Sequence, residues 1–195
     1  TGFTGTHLCR RLHSEGHEVV AFVRPTSDVV TLKQLGVSCQ VVDIKDPGAV
    51  RHHLQNFTHV FHIAAAYRTE HTDQDEFWQV NVEATRNLLE AARASGVQRF
   101  IHCSTVGVQG EIDHPPASES YRMNPDDHYQ ESKAEGERIA RQYSADGLPG
   151  VVVRPVGIYG PGDRRFLKLF RLVNRRSFVM IGKGHVFYHM TYIDD

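Results

Sequence analysis

The chain has 195 residues, of which 40% are hydrophobic and 23% are charged, and its formal net charge is −1. This composition excludes a disordered chain, which would be less apolar and more strongly charged. The balanced charge gives no broad basic surface for nucleic acid, and no apolar run of about 18 residues that could cross a membrane occurs. We therefore expect one substantial hydrophobic core.

Cysteine and histidine usage bears on compartment and on metal binding. The three cysteines are Cys9, Cys39 and Cys103, and they form no C-x-x-C pair. An odd number of isolated thiols is typical of a reducing compartment, so we predict a cytoplasmic protein. The 13 histidines include no H-E-x-x-H motif. We predict that they are scattered on the surface and that no metal site is present.

Short apolar runs alternate with stretches of helical periodicity along the chain. In the first half we predict a helix from near Gly5 to Gly16, a strand over 18–23, a short helix over 29–35, a strand over 40–42 and a helix that starts at Asp46-Pro47. In the second half we predict strands over 60–63, 99–103 and 151–153, with helices over 76–94 and 127–144. After Pro155 the pattern turns loop-rich, before a basic helix over 165–175.

This alternation predicts βαβ units and therefore an α/β fold with a doubly wound, Rossmann-like parallel sheet. Ligands of such sheets bind at the carboxyl ends of the strands. The basic helix over 165–175 could suggest nucleic acid, but its spacing is more typical of a solvated face or of a clamp for a substrate diphosphate.

A glycine-containing segment, Gly2-Phe3-Thr4-Gly5, precedes the first predicted helix. Glycines at this position let the backbone approach a phosphate, and the helix N-terminus supplies free N–H groups and a positive dipole end. Two glycines three residues apart are equally typical of a tight turn. The helix leads into a strand, however, and this is the order that a dinucleotide-binding fold requires.

The next two strand ends bear on the choice of cofactor. Where such folds usually carry Asp or Glu for the ribose hydroxyls, this chain has Val23 and Arg24. Arg24 could bind a 2′-phosphate, which favours NADP over NAD, or it could be an exposed surface arginine. Asp43 could accept a hydrogen bond from an adenine amino group, or it could be a turn residue.

Tyr129 and Lys133 are four residues apart on a predicted helix and therefore lie on the same face. A nearby cation favours a phenolate, so such a tyrosine can take a proton from an alcohol or give one to a ketone. Ser104 and Thr105 follow the strand over 99–103, where a hydroxyl could orient the substrate oxygen. A surface Tyr–Lys pair and a strand-end turn are the alternatives.

Together these residues resemble those of the extended short-chain dehydrogenase/reductases, also called the NAD-dependent epimerase/dehydratase family. The resemblance runs along the whole chain in order. Its segments are T-G-F-T-G at 1–5, D-I at 43–44, H-I-A-A at 62–65, N-V-E-A-T at 81–85, C-S-T at 103–105, Y-Q-E-S-K at 129–133, R-P at 154–155, Y-G-P-G-D at 159–163 and G-K-G at 182–184.

The resemblance implies site residues, domains and partners. The implied catalytic residues are Tyr129, Lys133, Thr105 and Ser104. The implied residues for NAD or NADP are Gly2, Phe3, Thr4, Gly5, Arg24, Asp43, Ile44, Ala64, Ala65, Ala66, Asn81, Cys103, Tyr129, Lys133, Pro155 and Ile158. It places an NAD(P)-binding domain at residues 1–155 and the beginning of a substrate-binding region at 156–195. It also implies a homodimer formed through a four-helix bundle. The family's first strand and most of its substrate domain have no counterpart here, so we expect a fragment.

The leading functional hypothesis is an enzyme that transfers hydride at a secondary alcohol or ketone of a small molecule, most similar to nucleotide-sugar epimerases. Val106-Gly107 stand where dehydratases of the family carry Asp-Glu, which disfavours a sugar dehydratase. Gln109 and Arg24 favour the alternative, an NADP-dependent carbonyl reductase of the dihydroflavonol reductase or 3β-hydroxysteroid dehydrogenase type. A non-catalytic NADP-binding regulator is the second alternative.

Overall fold

The computed structural model describes residues 1–67, 73–176, 179, 182, 184 and 188–195. Its first part contains five short elements. They are α1 (Phe3–Ser14), β1 (Val20–Val23), α2 (Val30–Gln34), β2 (Ser38–Val41) and α3 (Pro47–His53). Gly16 ends α1 with a positive φ of 86°, a conformation that costs glycine little. At the start of α3, the Asp46 carboxylate accepts hydrogen bonds from the N–H groups of Gly48 and Ala49. The predicted end of the first helix at Gly16 and the predicted start of a helix at Asp46-Pro47 are both confirmed.

The central sheet contains three parallel strands in the order β3 (His59–His62), β4 (Arg99–Cys103) and β5 (Gly150–Val153). β1 and β2 pair in parallel as a separate two-stranded sheet. The predicted α/β class with parallel strands is confirmed, and the carboxyl ends of β3, β4 and β5 lie at one edge because the strands run in the same direction.

Helices α4 (Gln74–Trp78), α5 (Ala84–Ala94) and α6 (His128–Ala145) carry much of the core. The predicted helical stretch over 76–94 is confirmed as helical throughout, but a π-helical turn, Gln79–Glu83, which was not predicted, interrupts it between α4 and α5. Asn81 and Val82 lie in this turn, and both are fully buried. The core cluster joins α3, α5, α6 and the central sheet and includes Val50, Leu54, Val82, Leu89, Phe100 and Ile139.

The region after Pro155 is more ordered than its turn-rich sequence predicts. It forms β6 (Gly157–Tyr159), α7 (Leu167–Asn174) and β7 (Met190–Tyr192). β6 and β7 pair in parallel. β6 has only three residues, so its sequence alone does not predict a strand, and it forms through pairing with the distant β7. The predicted basic helix is confirmed in shortened form. Residues 183 and 185–187 of the family-like stretch at 182–195 lie outside the described residues.

The prediction that histidines are scattered on the surface is wrong for two of them. His62 on β3 and His102 on β4 are register partners, and both are buried. His62 is satisfied through Nε2, which lies 2.8 Å from Thr85 Oγ1. In the part of the chain that the structure describes, no three metal-ligating side chains come together. None of the helices formed by these residues is both long enough and apolar enough to cross a membrane.

Candidate active site

The predicted phosphate segment lies at the start of α1, beside the end of β3. Gly2 takes the N-cap position with extended backbone, and no side chain caps the helix. A Cβ atom at Gly5 would lie 3.8 Å from Ile63 Cδ1, and one at Gly2 would meet nothing within 4 Å. The first N–H groups of the helix therefore stay accessible to an anionic group. Phe3 packs against His7, and Thr4 is partly buried in the same turn.

Arg24 and Asp43 follow two neighbouring strands. Because β1 and β2 pair in register up to their last residues, both side chains lie at the same edge, and both are exposed. The carbonyl of Ile44 accepts a hydrogen bond of 3.2 Å from Asn87 Nδ2, which ties this edge to α5. The structure thus brings the three predicted adenosine-binding residues together, and their contacts with a cofactor stay a prediction.

Asn81 holds the segment that follows β3. Its Oδ1 accepts from the Ala66 N–H at 2.9 Å, and its Nδ2 donates to the Ala66 carbonyl at 3.1 Å and to Ser132 Oγ at 2.9 Å. Ala64 and Ala65 are exposed just before this anchor. Asn81 therefore acts on the predicted cofactor segment through Ala66, while its amide is used by bonds within the protein.

Thr105 caps the short 3-10 turn Val106–Gln109 that follows β4. Its Oγ1 accepts a hydrogen bond of 3.2 Å from the Gly107 N–H. A Cβ atom at Gly107 would lie 3.4 Å from Gln130 Cγ, so this turn packs against the first turn of α6. Thr105 is partly buried and Ser104 is buried. The predicted hydroxyl residues thus lie beside the helix that carries Tyr129.

Tyr129 is the second residue of α6 and is partly buried. The side chain of Asp127 caps this helix by accepting from the Gln130 N–H at 2.9 Å. Two aromatic rings pack edge-on against Tyr129, with ring centroids 5.1 Å away at Tyr67 and 6.1 Å away at Phe77. This aromatic contact holds the phenol ring in place at the mouth of the site, and Tyr67 was not identified from the sequence.

Lys133 is 3% exposed, although lysine is rarely buried without a partner. Its Nζ donates a hydrogen bond of 2.6 Å to the carbonyl of Cys103 at the end of β4. Burial lowers the pKa of Lys133, and the charges of Cys103 and Glu137 oppose that lowering. This bond holds the ammonium at Cys103, two residues before Thr105, and the helix places Lys133 one turn from Tyr129.

Glu137 lies one further turn along α6 and was missed by the sequence reasoning. Its carboxylate is fully buried and accepts hydrogen bonds from Arg154 and Arg141. Burial acts to raise the pKa of Glu137, but the hydrogen bonds and charge of its partners hold that pKa below its ordinary value. The i, i+4, i+8 spacing of Tyr129, Lys133 and Glu137 was a usable signal, because it places all three on one helix face.

The chain after β5 borders the same site. The Pro155 carbonyl accepts a hydrogen bond of 3.2 Å from the Val106 N–H, next to Thr105. Further along, Ile158 is partly buried in β6. His7 of α1 lies 3.0 Å from the Pro161 carbonyl through Nε2, so the Y-G-P-G-D segment adjoins the start of α1. The structure therefore brings the predicted cofactor and catalytic segments to one edge of the fold.

Comparison with known proteins identifies the family. The NAD dependent epimerase/dehydratase family model matches residues 1–195. Sterol demethylase protein B of Methylococcus capsulatus is 33% identical, over 85% of this chain and 51% of its own length. The 2-alkyl-3-oxoalkanoate reductase of Stenotrophomonas maltophilia is 32% identical, over 100% of this chain and 60% of its own length.

A solved structure gives the same answer for the fold. The Thermus thermophilus UDP-glucose 4-epimerase in complex with NAD superposes with a TM-score of 0.84 at 27% identity, covering 98% of this chain and 68% of that chain. The present chain thus spans about half to two thirds of the length of these relatives. Motifs, fold and family match lead to one conclusion: the chain belongs to the NAD-dependent epimerase/dehydratase family.

Proposed function

We propose that this chain carries the hydride-transfer site of an NAD(P)-dependent enzyme acting on a secondary alcohol or ketone. The observation that carries the proposal is the buried Lys133 ammonium. It is anchored on the Cys103 carbonyl at 2.6 Å, one helical turn from Tyr129. In this proposal residues 1–155 hold the cofactor and residues 156–195 begin the substrate-binding region.

The residues present fit a nicotinamide dinucleotide. The uncapped start of α1 at Gly2–Gly5 suits the pyrophosphate, and the exposed Ala64 and Ala65 lie after the neighbouring strand. Arg24 and Asp43 would bind the adenosine half, and Lys133 the nicotinamide ribose. When bound, the nicotinamide supplies or accepts the hydride. The exposed guanidinium of Arg24 favours NADP, because it can bind a 2′-phosphate.

The protein's own residues then handle the proton. Tyr129 takes it from the alcohol oxygen in oxidation and returns it to the carbonyl oxygen in reduction. The positive charge of Lys133 favours the phenolate form that the first of these steps needs. Thr105 donates a hydrogen bond to the same substrate oxygen and so orients it toward Tyr129. The rings of Tyr67 and Phe77 pack edge-on against Tyr129 and so restrict the position of its phenol ring.

This half-reaction serves either a reductase or an epimerase. A reductase releases its product, and this outcome is supported by the 2-alkyl-3-oxoalkanoate reductase among the relatives. Gln109 also favours a reductase by resemblance, because it stands where the family's sugar epimerases commonly carry tyrosine; its side chain is buried and donates to the Ser118 carbonyl at 2.8 Å. An epimerase returns the hydride to the opposite face of the substrate, and the match to a UDP-glucose 4-epimerase supports this second candidate.

Replacement of Tyr129 by Phe tests the catalytic assignment. Loss of the hydroxyl should lower kcat by about 10²- to 10⁴-fold, the usual contribution of a general acid/base. Cofactor affinity, measured by fluorescence titration of the full-length protein, should stay within a few-fold. Tyr121→Phe is the matched control, because its hydroxyl binds Asp113 away from the site. Unchanged activity in Tyr129→Phe would contradict the assignment of Tyr129 as the general acid/base.

The two candidate outcomes are separated by following absorbance at 340 nm with panels of 3-oxo and steroid ketones and of nucleotide sugars. A reductase consumes NADPH in proportion to the ketone supplied. An epimerase interconverts sugar isomers with no net change in absorbance. Net consumption with a ketone would exclude the epimerase candidate for that substrate.

A further inference from the structure

Glu137 carries a charge in the interior of the protein, which is costly unless it is compensated. The Arg154 guanidinium compensates it directly: Nε lies 3.0 Å from Oε2, and Nη2 lies 2.7 Å from Oε1. Arg141 adds a hydrogen bond of 2.8 Å from its Nε to Oε1. Because the Arg141 side chain is 53% exposed whereas that of Arg154 is 10% exposed, Arg154 is the buried partner.

Arg154 also joins the segments that build the site. It follows β5 directly. Its Nη1 donates a hydrogen bond of 3.1 Å to the Glu119 carbonyl, in the loop between the 3-10 turn and α6. On either side of it along the chain, the Val153 carbonyl accepts from the Ser104 N–H at 2.8 Å, and the Pro155 carbonyl accepts from the Val106 N–H. Arg154 thus connects α6, through Glu137, with the end of β5 beside Thr105 and with the loop that leads to Tyr129.

The charges around Lys133 show what Glu137 can do. Lys133 and Glu137 lie four residues apart on α6, and both are buried. The other titratable groups near Lys133 are Tyr129 on α6, Cys103 and His102 on β4 and His62 on β3. Burial and neighbouring positive charge lower the pKa of both histidines, so their rings stay uncharged. Burial raises the pKa of the Cys103 thiol, so this group keeps its proton and carries no negative charge. Glu137 is therefore the carboxylate that can offset the ammonium in this interior region.

We propose that Glu137 and Arg154 form a positioning pair for the hydride-transfer site, in which Arg154 holds the Glu137 carboxylate in place and Glu137 supplies the buried negative charge that stabilises the Lys133 ammonium. The inference rests on the proposed function, since it assigns the pair an effect on the Tyr129–Lys133 proton step. Glu137 and Arg154 are not themselves in contact with substrate; they act through Lys133.

A merely structural role predicts a different result. A buried ion pair that only joins elements would affect thermal stability, and its loss would leave the charge of Lys133 and the pH profile unchanged. A positioning role predicts a change in Lys133 itself. If the carboxylate is removed, less negative charge opposes the effect of burial, so Lys133 should lose its proton at lower pH. Above that pH the Tyr129 phenolate no longer has the cation that favours it.

The test uses Glu137→Gln in the full-length protein, because Gln keeps the shape and removes the charge. The ¹³Cε signal of Lys133, assigned by its absence in Lys133→Arg, should titrate about one pH unit lower than in the wild type, as expected for the loss of a nearby buried charge. The pH–rate profile for alcohol oxidation should change together with the Lys133 titration: kcat should fall at pH values where Lys133 has lost its proton in the variant but not in the wild type, with KM within a few-fold. In a Lys133→Met background, Glu137→Gln should have almost no further effect on kcat or on the pH–rate profile, because Glu137 acts through the Lys133 ammonium.

Glu135→Gln is the matched control. Glu135 lies on the same helix and pairs with Arg138 at 2.7 Å on the surface, so its removal should leave the Lys133 titration and the profile unchanged. Should Glu137→Gln fail to fold, Glu137→Asp carries the test: its shorter side chain draws the carboxylate away from Lys133, so the Lys133 titration should move to lower pH by less than in Glu137→Gln, whereas a merely structural role leaves it unchanged. An unchanged titration midpoint in a folded Glu137→Gln protein overturns the inference. Absence of any hydride transfer in the wild type overturns the proposed function, and the titration still reports on the pair.

Discussion

At the scale of single residues, His102 makes the free energy of unfolding depend on pH. The ring lies in the middle strand β4, 1% exposed, and neither ring nitrogen has a hydrogen-bond partner among the described residues. Burial, together with the charge of Lys133, lowers the pKa of His102 to about 3. The unfolded chain takes up a proton near pH 6.5, whereas the folded chain does not. Stability is therefore unaffected above pH 6.5 and falls as the pH drops from 6.5 toward 3.

His102→Leu should remove part of this acid sensitivity. Between pH 6.5 and 5 the unfolding free energy of the wild type should fall more steeply than that of the variant, by roughly 1 kcal/mol per pH unit. Urea titrations of the full-length protein at several pH values measure the difference. His59→Leu is the control, because His59 lies exposed on the adjacent strand β3. Parallel pH dependence in wild type and His102→Leu would contradict the prediction.

Arg24 is the residue from which cofactor preference is argued. It is exposed at the end of β1, where a bidentate guanidinium can meet a 2′-phosphate. Arg24→Ala should weaken NADPH binding by about tenfold or more and leave NADH binding within a few-fold, since one charge-assisted phosphate contact contributes roughly 1.5–3 kcal/mol. Isothermal titration with both cofactors measures this. Arg10→Ala, exposed on α1, is the control; equal losses for the two cofactors would speak against a 2′-phosphate contact.

At the scale of elements, the close approach of α6 to the π-helical turn depends on a glycine. A Cβ atom at Gly136 would lie 2.4 Å from the Asn81 carbonyl oxygen, so a side chain has no room there. Alanine normally stabilises a helix interior by about 1 kcal/mol relative to glycine. Here we expect Gly136→Ala to destabilise by roughly 1–3 kcal/mol through overpacking, and to weaken the Asn81 bonds to Ala66 and Ser132.

Denaturant unfolding measures whether Gly136→Ala lowers the free energy of unfolding, in contrast to the increase that alanine usually gives in a helix. Gln142→Ala, on the exposed side of the same helix, should stay within about 0.5 kcal/mol of the wild type. If Gly136→Ala were more stable than the wild type, the tight contact between α6 and the π-helical turn would not exist in solution.

The elements also show how far sequence reasoning reaches. The strand over 151–153 and the helix that carries Tyr129 and Lys133 were predicted correctly, because apolar runs and helical periodicity are local properties. The π-helical turn at 79–83 was missed, since one extra residue hardly disturbs the apolar periodicity. β6 was missed because a three-residue strand depends on its distant partner β7. The same limit hid the Glu137–Arg154 pair, in which two polar residues 17 positions apart meet only after folding.

At the scale of the whole molecule, the outer face of α4 and α6 suggests how two copies associate. Trp78 on α4 is 48% exposed, and it lines a groove with His128 and Glu131 of α6. A large aromatic side chain in an exposed groove is typical of an interface anchor. The helices concerned are those through which, by resemblance, members of the family form a four-helix dimer.

We therefore predict that the full-length protein is a homodimer and that Trp78→Glu dissociates it. Loss of a central tryptophan anchor typically costs at least 2 kcal/mol of association free energy, and this should raise the dimer Kd by about 30-fold or more. Analytical ultracentrifugation across a concentration series measures the change, and thermal melts establish that the variant is folded. Val30→Glu is the matched control, because Val30 is 58% exposed on α2, an element outside the predicted interface. A wild type that sediments as a monomer at micromolar concentration, or a Trp78→Glu protein that stays dimeric there, would show that α4 and α6 do not form the interface.

The same interface should affect catalysis, because α6 also carries Tyr129 and Lys133. A partner subunit packed on the outer face of α6 would stabilise the position of this helix. The Trp78→Glu monomer should therefore have a lower kcat than the Val30→Glu dimer.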